Sequence, residues 1–251
     1  MFRRICAMLL VLACLTPAFA SALNVAENLS GMYCWPEGSS EAEAAYVYSY
    51  CYPTVSGDSA LADMINNQYT YLVDDAMAFF VPMTVSELDT GANKSSTVIT
   101  HEITCLNESS MSVLITTTHN FGGIPRTVLS AHNYTLTGSM AGSGTNLPRL
   151  LGLLDDSETD EWLLQRQTDK ADKIVRKLIW RAISKGTHND GVVFFDTLVE
   201  EDLEWLIYPE EDFYLNQDGQ PVFFFQPGTV ADESYGPVFF TITLEMIDDE
   251  M

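Results

Sequence analysis

Residues 212–228, with the sequence DFYLNQDGQPVFFFQPG, contain two short apolar runs separated by an Asp-Gly pair. An Asp-Gly pair between hydrophobic runs is a strong β-hairpin signal, because glycine accepts the positive φ that tight hairpin turns require. The predicted core contacts join the two strands, with Phe213 and Leu215 facing Phe223 and Phe225. A Pro-Gly pair then ends the second strand and begins residues 229–235, which we expect to form an exposed loop.

The rest of the chain predicts helices and strands in mixed order. Residues 59–80 carry apolar side chains at helical spacing, and this helix is expected to end before Pro82. Residues 157–185 begin with acids, end with basic residues and are followed by Gly186, as is typical of a well-capped helix. Alternating runs rich in Val, Ile and Thr over residues 96–137 predict a three-stranded antiparallel meander. The predicted fold class is therefore α+β, with antiparallel sheets and packed helices.

The first 22 residues have the parts of a signal peptide. Two arginines precede the apolar run ICAMLLVLACLTPAF, and small residues follow it in AFASA. We expect residues 1–22 to be removed by cleavage near Ala20 or Ala22, which makes the protein secreted or extracytoplasmic. The run is shorter than the ~20 residues that cross a bilayer, so no stable membrane span is expected. A lipoprotein acylated at Cys14 is the alternative.

The chain is strongly acidic, and its charge is unevenly distributed. The formal net charge is -23, which excludes nucleic acid as a partner because binding to phosphates requires clustered cations. Residues 186–251 contain sixteen Asp and Glu but no Lys or Arg. Such a surface accelerates encounters with cationic partners, although acidity also serves solubility.

Three cysteines follow the predicted signal peptide. Cys34 and Cys51 flank a short segment rich in aromatic residues, Ser and Ala, and a disulfide between them is the predicted pairing. Cys105 then remains as a buried free thiol on a strand. The two other pairings stay open at this stage.

No combination of residues in the sequence supports catalysis, a cofactor or a metal. There is no nucleophile motif, and the many adjacent acid pairs are typical of a solvated surface. His101, His119 and His132 fall on three consecutive predicted strands, where two of them could meet across the sheet as part of a metal site. Because no accompanying ligand spacing is present, a structural role is the preferred interpretation. We therefore expect a protein that is not an enzyme.

Three stretches resemble a known pair of extracytoplasmic domains. The RsiV-type domain, of unknown function in most proteins, has a C-terminal signature that resembles EEDFYLNQDGQPVFFFQPGTVADESYGPVFFTITLEMI. The family's sheet segment is similar to TTTHNFGGIPRTVLSAHNYTLTGS, and the helix of the PdaC-type companion domain is similar to SGDSALADMINNQYTYLV. The resemblance implies two interlocked subdomains, a PdaC-like unit over residues 23–95 and an RsiV-like unit over residues 96–251. The family's GGAH motif is replaced here by Gly-Gly-Ile-Pro at residues 122–125.

In RsiV-type anti-sigma factors this domain binds lysozyme, which is a cationic protein. The resemblance therefore implies a non-catalytic binding or sensor module whose acidic C-terminal lobe binds a lysozyme-like partner. The predicted partner-binding residues are Glu210, Glu211, Asp212, Asp232, Glu233 and Tyr235. An accessory domain that binds cell-wall glycan or peptidoglycan is the alternative, because the aromatic residues of YCWPEG and YVYSYCY could stack on sugars.

Overall fold

The computed structural model describes residues 23–88, 94–155, 157–187 and 191–250, so the predicted signal peptide lies outside the described residues. The strands are β1 (Leu23–Val25), β2 (Leu29–Trp35), β3 (Tyr46–Tyr52), β4 (Val55–Gly57), β5 (Ser95–Leu106), β6 (Ser110–Asn120), β7 (Arg126–Thr135), β8 (Phe213–Leu215), β9 (Pro221–Phe225) and β10 (Val238–Thr241). The α-helices are α1 (Ser59–Asp75), α2 (Val81–Glu87), α3 (Leu147–Leu150), α4 (Glu161–Lys185), α5 (Leu203–Leu206) and α6 (Leu244–Asp248). Within the described ranges, no helix has the length and apolar character to cross a bilayer.

A five-stranded sheet in the order β2-β3-β5-β6-β7 forms the centre of the molecule. Neighbouring strands are antiparallel except for β3 and β5, which run parallel, so the sheet is mixed. The α+β class and the meander over β5, β6 and β7 are confirmed. The predicted units 23–95 and 96–251 share this sheet, because β2 and β3 come from the first and β5 to β7 from the second.

One face of this sheet packs against α1. Asp58 begins the helix by accepting hydrogen bonds from the backbone N–H groups of Ala60 and Leu61, which satisfies two donors that the helix cannot satisfy itself. Helical spacing then places Ile65 and Tyr69 on the buried side. They pack with strand residues such as Tyr48 and Val113, which are also fully buried, and together these side chains form the first core.

The helical segment continues past Pro82, so the prediction that it ends before this residue is wrong. Residues Ala76–Phe80 form a π-helical turn, in which the Val81 N–H donates to the carbonyl of Ala76 five residues earlier. Pro82 therefore stands in the first turn of α2, where its missing N–H and fixed φ are tolerated. A proline in a helix interior removes a hydrogen bond and clashes with the carbonyl of the preceding turn, and the π-helical turn before Pro82 avoids both effects.

The other face of the large sheet packs against a second core around α4. Asp160 caps the start of this helix, and Gly186 ends it with a φ of 61°. Val175 and Ile179 are buried against the strands of the small sheet, whose order is β10-β9-β8. Of the five-stranded sheet, Cys105 on β5 belongs to this second core, in which burying each large apolar side chain contributes about 1.5–3 kcal/mol.

The hairpin predicted from the Asp-Gly pair is confirmed. Phe213 pairs with Phe223 and Leu215 pairs with Pro221, whereas Phe225 lies beyond the start of β8 and pairs with Val238 of β10. The backbone N–H of Asn216 donates to the carbonyl of Gln220, which encloses a three-residue loop. Gly219 occupies the left-handed position of that loop with a φ of 75°. All four predicted core residues of the hairpin are buried.

Polar side chains connect the three-stranded sheet to the five-stranded sheet. The Asn133 Nδ2 atom of β7 donates to the carbonyl of Phe213 at 2.7 Å, and the Leu215 N–H donates to Ser112 Oγ at 2.9 Å. Ser112 Oγ in turn donates to Asn133 Oδ1 at 2.7 Å. Because the alternation of β6 and β7 directs these side chains to the face opposite α1, the hairpin docks on that face.

The predicted Cys34–Cys51 disulfide is not formed, and both residues are free thiols. They lie on the paired strands β2 and β3, but Cys34 is opposite Val47 and Cys51 is opposite Ser30. Four residues of strand separate the two positions, about 13 Å at the rise of a β-strand. A disulfide requires Cα atoms within about 7 Å of each other, so the register forbids this pairing. The expected buried thiol at Cys105 is confirmed.

Candidate functional site

The six predicted partner-binding residues lie at one end of the three-stranded sheet. Phe213 at the start of β8 pairs with Phe223 of β9, and Phe225 at the end of β9 pairs with the first residue of β10. The segment before β8 and the loop between β9 and β10 therefore leave this sheet at the same end. We call the surface formed by residues 210–212 and 232–235 the acidic end.

The first part of the acidic end is a short turn before β8. Asp212 holds this turn, because its Oδ2 atom accepts a hydrogen bond from the Tyr208 N–H at 2.7 Å and its carbonyl accepts one from Phe224 at 2.9 Å. Burial raises the pKa of the Asp212 carboxyl above its usual range, while the Tyr208 N–H opposes this shift and the charge of Glu211 adds to it. Glu210 and Glu211 are exposed, so their carboxylates are free to meet a partner.

The second part of the acidic end is the loop between β9 and β10. Val230 and Ala231 are buried and anchor the loop, and Ala231 bridges to Phe194. Asp232 caps a single turn of 3-10 helix, and the hydroxyl of Ser234 holds the pKa of its carboxyl below the usual range. The expectation of an exposed loop is thus correct for residues 232–235 and wrong for the two anchoring residues, whose apolar side chains join the second core.

A cleft of about 560 Å³ lies between β7 and residues 210–212. We call it the β7 cleft. Its lining residues come from four separate segments of the chain: Gln68, Leu129, Ser130, Ala131, His132, Asn133, Tyr134, Gly142, Gly144, Thr145, Glu210, Glu211 and Asp212. Among these lining residues there is no Lys or Arg, so the cleft is acidic. Residues 232–235 do not line it.

His132 and Tyr134 form the α1 side of the β7 cleft. The His132 ring packs on Tyr69 with ring centroids 5.6 Å apart, and its Nδ1 atom has no hydrogen-bond partner within the described part of the chain. Burial lowers the pKa of the His132 imidazole, so its neutral form is favoured. The Tyr134 hydroxyl donates to Gln68 Oε1 at 3.0 Å, and burial raises the pKa of Tyr134 to about 12. Residues 210–212 thus supply the acidic side chains among the residues that line the cleft.

The three histidines of the meander do not meet across the sheet. His119 lies opposite Thr97, His101 opposite Ile115 and His132 opposite Val113, which places each on a different rung. The His101 Nδ1 atom contacts the carbonyl of Cys51 at 2.8 Å, and the His119 Nδ1 atom contacts Thr97 Oγ1 at 3.1 Å. In the portions of the chain that the structure describes, no group of His, Cys, Asp and Glu side chains is arranged to hold a metal ion.

The aromatic residues that favoured glycan binding belong mostly to the first core. Tyr46, Tyr48 and Tyr52 are buried. Tyr33 and Trp35 of β2 are half-buried and line an apolar groove of about 440 Å³ beside α2. The aromatic side chains that line this groove are Tyr33 and Trp35, and each has an exposed part on which a sugar ring could stack.

The sequence patterns did not identify the β7 cleft. Gln68, His132 and Thr145 are separated along the chain and come together through the packing of α1, the large sheet and the loop after β7. The one local signal was Gln226, a polar residue directly after an entirely apolar strand. Its side chain bonds to both backbone groups of Leu129 on β7.

One family model matches part of the chain. Residues 163–245 match the model of DUF3298, a protein family of unknown function. This match extends from α4 to α6 and includes all six predicted partner-binding residues. Of the residues that line the β7 cleft, only Glu210, Glu211 and Asp212 lie within the DUF3298 match.

Two solved structures of DUF3298 proteins match 90% of this chain. One, from Bacteroides fragilis, has a TM-score of 0.51 at 13% sequence identity, covering 90% of this chain and 91% of that chain. The other, from Pseudomonas aeruginosa, has a TM-score of 0.47 at 11% identity, covering 90% of this chain and 93% of that chain. No curated protein matches the sequence. The likeness to the Bacteroides protein concerns the fold alone.

Proposed function

We propose that the chain is a non-catalytic binding module that binds a cationic protein, such as lysozyme, through the acidic end. The sequence resembles the lysozyme-binding domain of RsiV-type anti-sigma factors most closely over residues 210–247, which fall almost wholly within the DUF3298 match. We also propose that residues 23–95 form a PdaC-like unit and residues 96–251 an RsiV-like unit.

The observation that carries the proposal is the set of exposed acids in the two segments that leave the small sheet at the same end. Glu210, Glu211, Asp232 and Glu233 are exposed there, beside the half-exposed ring of Tyr235. The segment from residue 186 to the end contains no Lys or Arg that would neutralise them. A concentrated negative surface raises the association rate with a positive partner, and a tyrosine adds rigid contact area.

Calorimetric titration with lysozyme tests the proposal. The acidic-end variant Glu210→Gln/Glu211→Gln/Glu233→Gln is compared with the control Asp63→Asn/Asp74→Asn/Asp75→Asn, which changes the net charge equally at exposed positions of α1. We expect the wild-type protein to bind, with lower affinity at higher salt because the charges are screened. The acidic-end variant is expected to lose at least about tenfold in affinity, and the control is expected to lose much less. Absence of binding heat from folded wild-type protein at both low and moderate salt contradicts the proposal.

A second candidate is binding of cell-wall glycan at the apolar groove of Tyr33 and Trp35. The groove offers two partly exposed aromatic faces, which is the arrangement that stacks on sugars. Sedimentation with purified peptidoglycan tests it. Glycan binding requires that the wild-type protein pellets and that Trp35→Ala remains in solution, whereas the acidic-end variant pellets as the wild type does.

We also propose that the protein is exported and loses its first residues by cleavage near Ala20 or Ala22. N-terminal sequencing of the protein recovered outside the cytoplasm measures this directly. A chain that begins at Ser21 or Leu23 supports the proposal, and a diacylglyceryl group on Cys14 supports the lipoprotein alternative instead.

A further inference from the structure

The outer edge of β7 is paired by the protein itself at two positions, Leu129 and Thr135. Residues of odd number in β7 direct their backbone groups away from β6, as the contacts of Leu129 and Thr135 demonstrate. The Gln226 side chain bonds to both backbone groups of Leu129. At the other position, the Thr135 N–H donates to the Ser143 carbonyl, and the Gly142 N–H donates to the Thr135 carbonyl. These contacts act as a partner strand would at each of the two positions.

Between these two positions the edge is open. The Thr145 N–H donates to the Asn133 carbonyl, but the Asn133 N–H and both backbone groups of Ala131 have no partner among the described residues. Three backbone groups, two donors and one acceptor, are therefore available in a row. Open strand edges pair readily with an additional extended chain, and proteins that do not use an edge normally cover it.

The open edge forms one wall of the β7 cleft, and the acidic turn before β8 forms another. Ala131, Asn133, Glu210 and Glu211 all line this cleft. The volume of about 560 Å³ is within the range of about 300–1,000 Å³ that is usual for ligand sites. Hydrogen-bonding groups of a strand and the carboxylates of Glu210 and Glu211 thus line the same cleft.

We propose that the β7 cleft binds an extended segment of a partner protein that carries Lys or Arg. The segment pairs as an added strand with Ala131 and Asn133, and its cationic side chains approach Glu210 and Glu211. Backbone pairing supplies affinity without regard to sequence, while the carboxylates select a basic segment. This inference rests on the proposed function for the identity of the partner as a cationic protein, and it adds the mode of binding.

Titration of the full chain with two peptides of equal charge tests the backbone pairing. The first is the acetylated, amidated pentapeptide Lys-Val-Lys-Val-Lys, and the second is the same peptide with alternate backbone nitrogens methylated. Because N-methylation removes the donors but keeps the charge, we expect at least about tenfold weaker binding of the methylated peptide. Equal affinity of the two peptides overturns the inference, because charge alone then accounts for the binding.

Amide hydrogen exchange locates the peptide without any change to the protein. We expect the amides of Ala131 and Asn133 to exchange more slowly when the first peptide is bound. The amide of Thr127, which lies on the same edge beyond Gln226, is expected to keep its rate. Unchanged exchange at Ala131 and Asn133 under saturating peptide overturns the inference.

The variant Ala131→Pro separates this inference from the proposed function. Proline removes the central N–H and is tolerated on an edge strand. If lysozyme binds the wild type and Ala131→Pro equally, the cleft inference fails while the proposed function stands. If lysozyme does not bind but the peptide binds and protects Ala131 and Asn133, the proposed function fails while the cleft remains a site for basic strands.

Discussion

The side-chain amide of Gln226 pairs with both backbone groups of Leu129. Gln226 Oε1 accepts from the Leu129 N–H at 2.8 Å, and Gln226 Nε2 donates to the Leu129 carbonyl at 2.8 Å. Leu129 is buried, so these backbone groups depend on the glutamine for their hydrogen bonds. One side chain from the end of β9 therefore joins the small sheet to the edge of the large one.

Replacing Gln226 with alanine is expected to lower the free energy of unfolding by about 1–3 kcal/mol, because two buried backbone groups lose their partner. Urea denaturation measures the change. The control is Gln165→Ala, since Gln165 is exposed on α4 and bonds only to the side chain of Asp169. The control is expected to change stability by less than about 0.5 kcal/mol. Equal effects of the two substitutions contradict a structural role for the Gln226 pair.

Replacing Gly186 with alanine is expected to destabilise the protein by about 1 kcal/mol, because a residue with a Cβ is strained at the left-handed φ of 61° that ends α4. A Cβ at Gly186 would meet no atom within 4 Å, so the backbone angle alone causes the cost. Gly123→Ala is the matched control, since a Cβ there also meets nothing and no positive φ is required. Thermal unfolding distinguishes them: only Gly186→Ala is expected to lower Tm.

Stability is expected to fall on acidification partly because of His132. Burial lowers the pKa of its imidazole, so the folded state holds His132 neutral while the unfolded chain binds a proton near pH 6.5. The contribution of His132 is therefore fully present above pH 6.5 and is lost as the pH falls towards the lower pKa of the folded state. For one proton, the free energy of unfolding changes by at most about 1.4 kcal/mol per pH unit.

His132→Phe removes this titration and keeps an aromatic ring against Tyr69. We expect the difference in free energy of unfolding between pH 7 and pH 5.5 to be smaller in the variant than in the wild type. Urea denaturation at both pH values provides the measurement. An identical difference in the two proteins contradicts the assignment of acid sensitivity to His132.

Cys34 and Cys51 are expected to remain free thiols even in air-oxidised protein. Alkylation of the denatured, unreduced chain, followed by cleavage at glutamates, separates the two residues into different peptides because Glu41 and Glu43 lie between them. Both peptides are expected to carry the alkyl group. Recovery of a linked pair of peptides without the label contradicts the observed register of β2 and β3.

The helices and strands that are determined by residues close together in the sequence could be predicted from it. The Asp-Gly pair predicted the hairpin, the alternation of Val, Ile and Thr predicted the meander, and the polarity of residues 157–185 predicted α4. The exact contacts within these elements were less predictable. The loop of the hairpin contains three residues, which sets the pairing of Leu215 with Pro221 and leaves Phe225 to pair with Val238 of β10.

The sequence by itself determined the composition of the surface and the local elements, because charge, periodicity and turn propensity act over a few residues. Tertiary packing decided the rest. The β2–β3 register places Cys34 and Cys51 too far apart for a disulfide, and a π-helical turn carries the helix past Pro82. The β7 cleft arises only where four distant segments meet, because its open edge depends on which backbone groups the folded chain pairs and which it leaves for a partner.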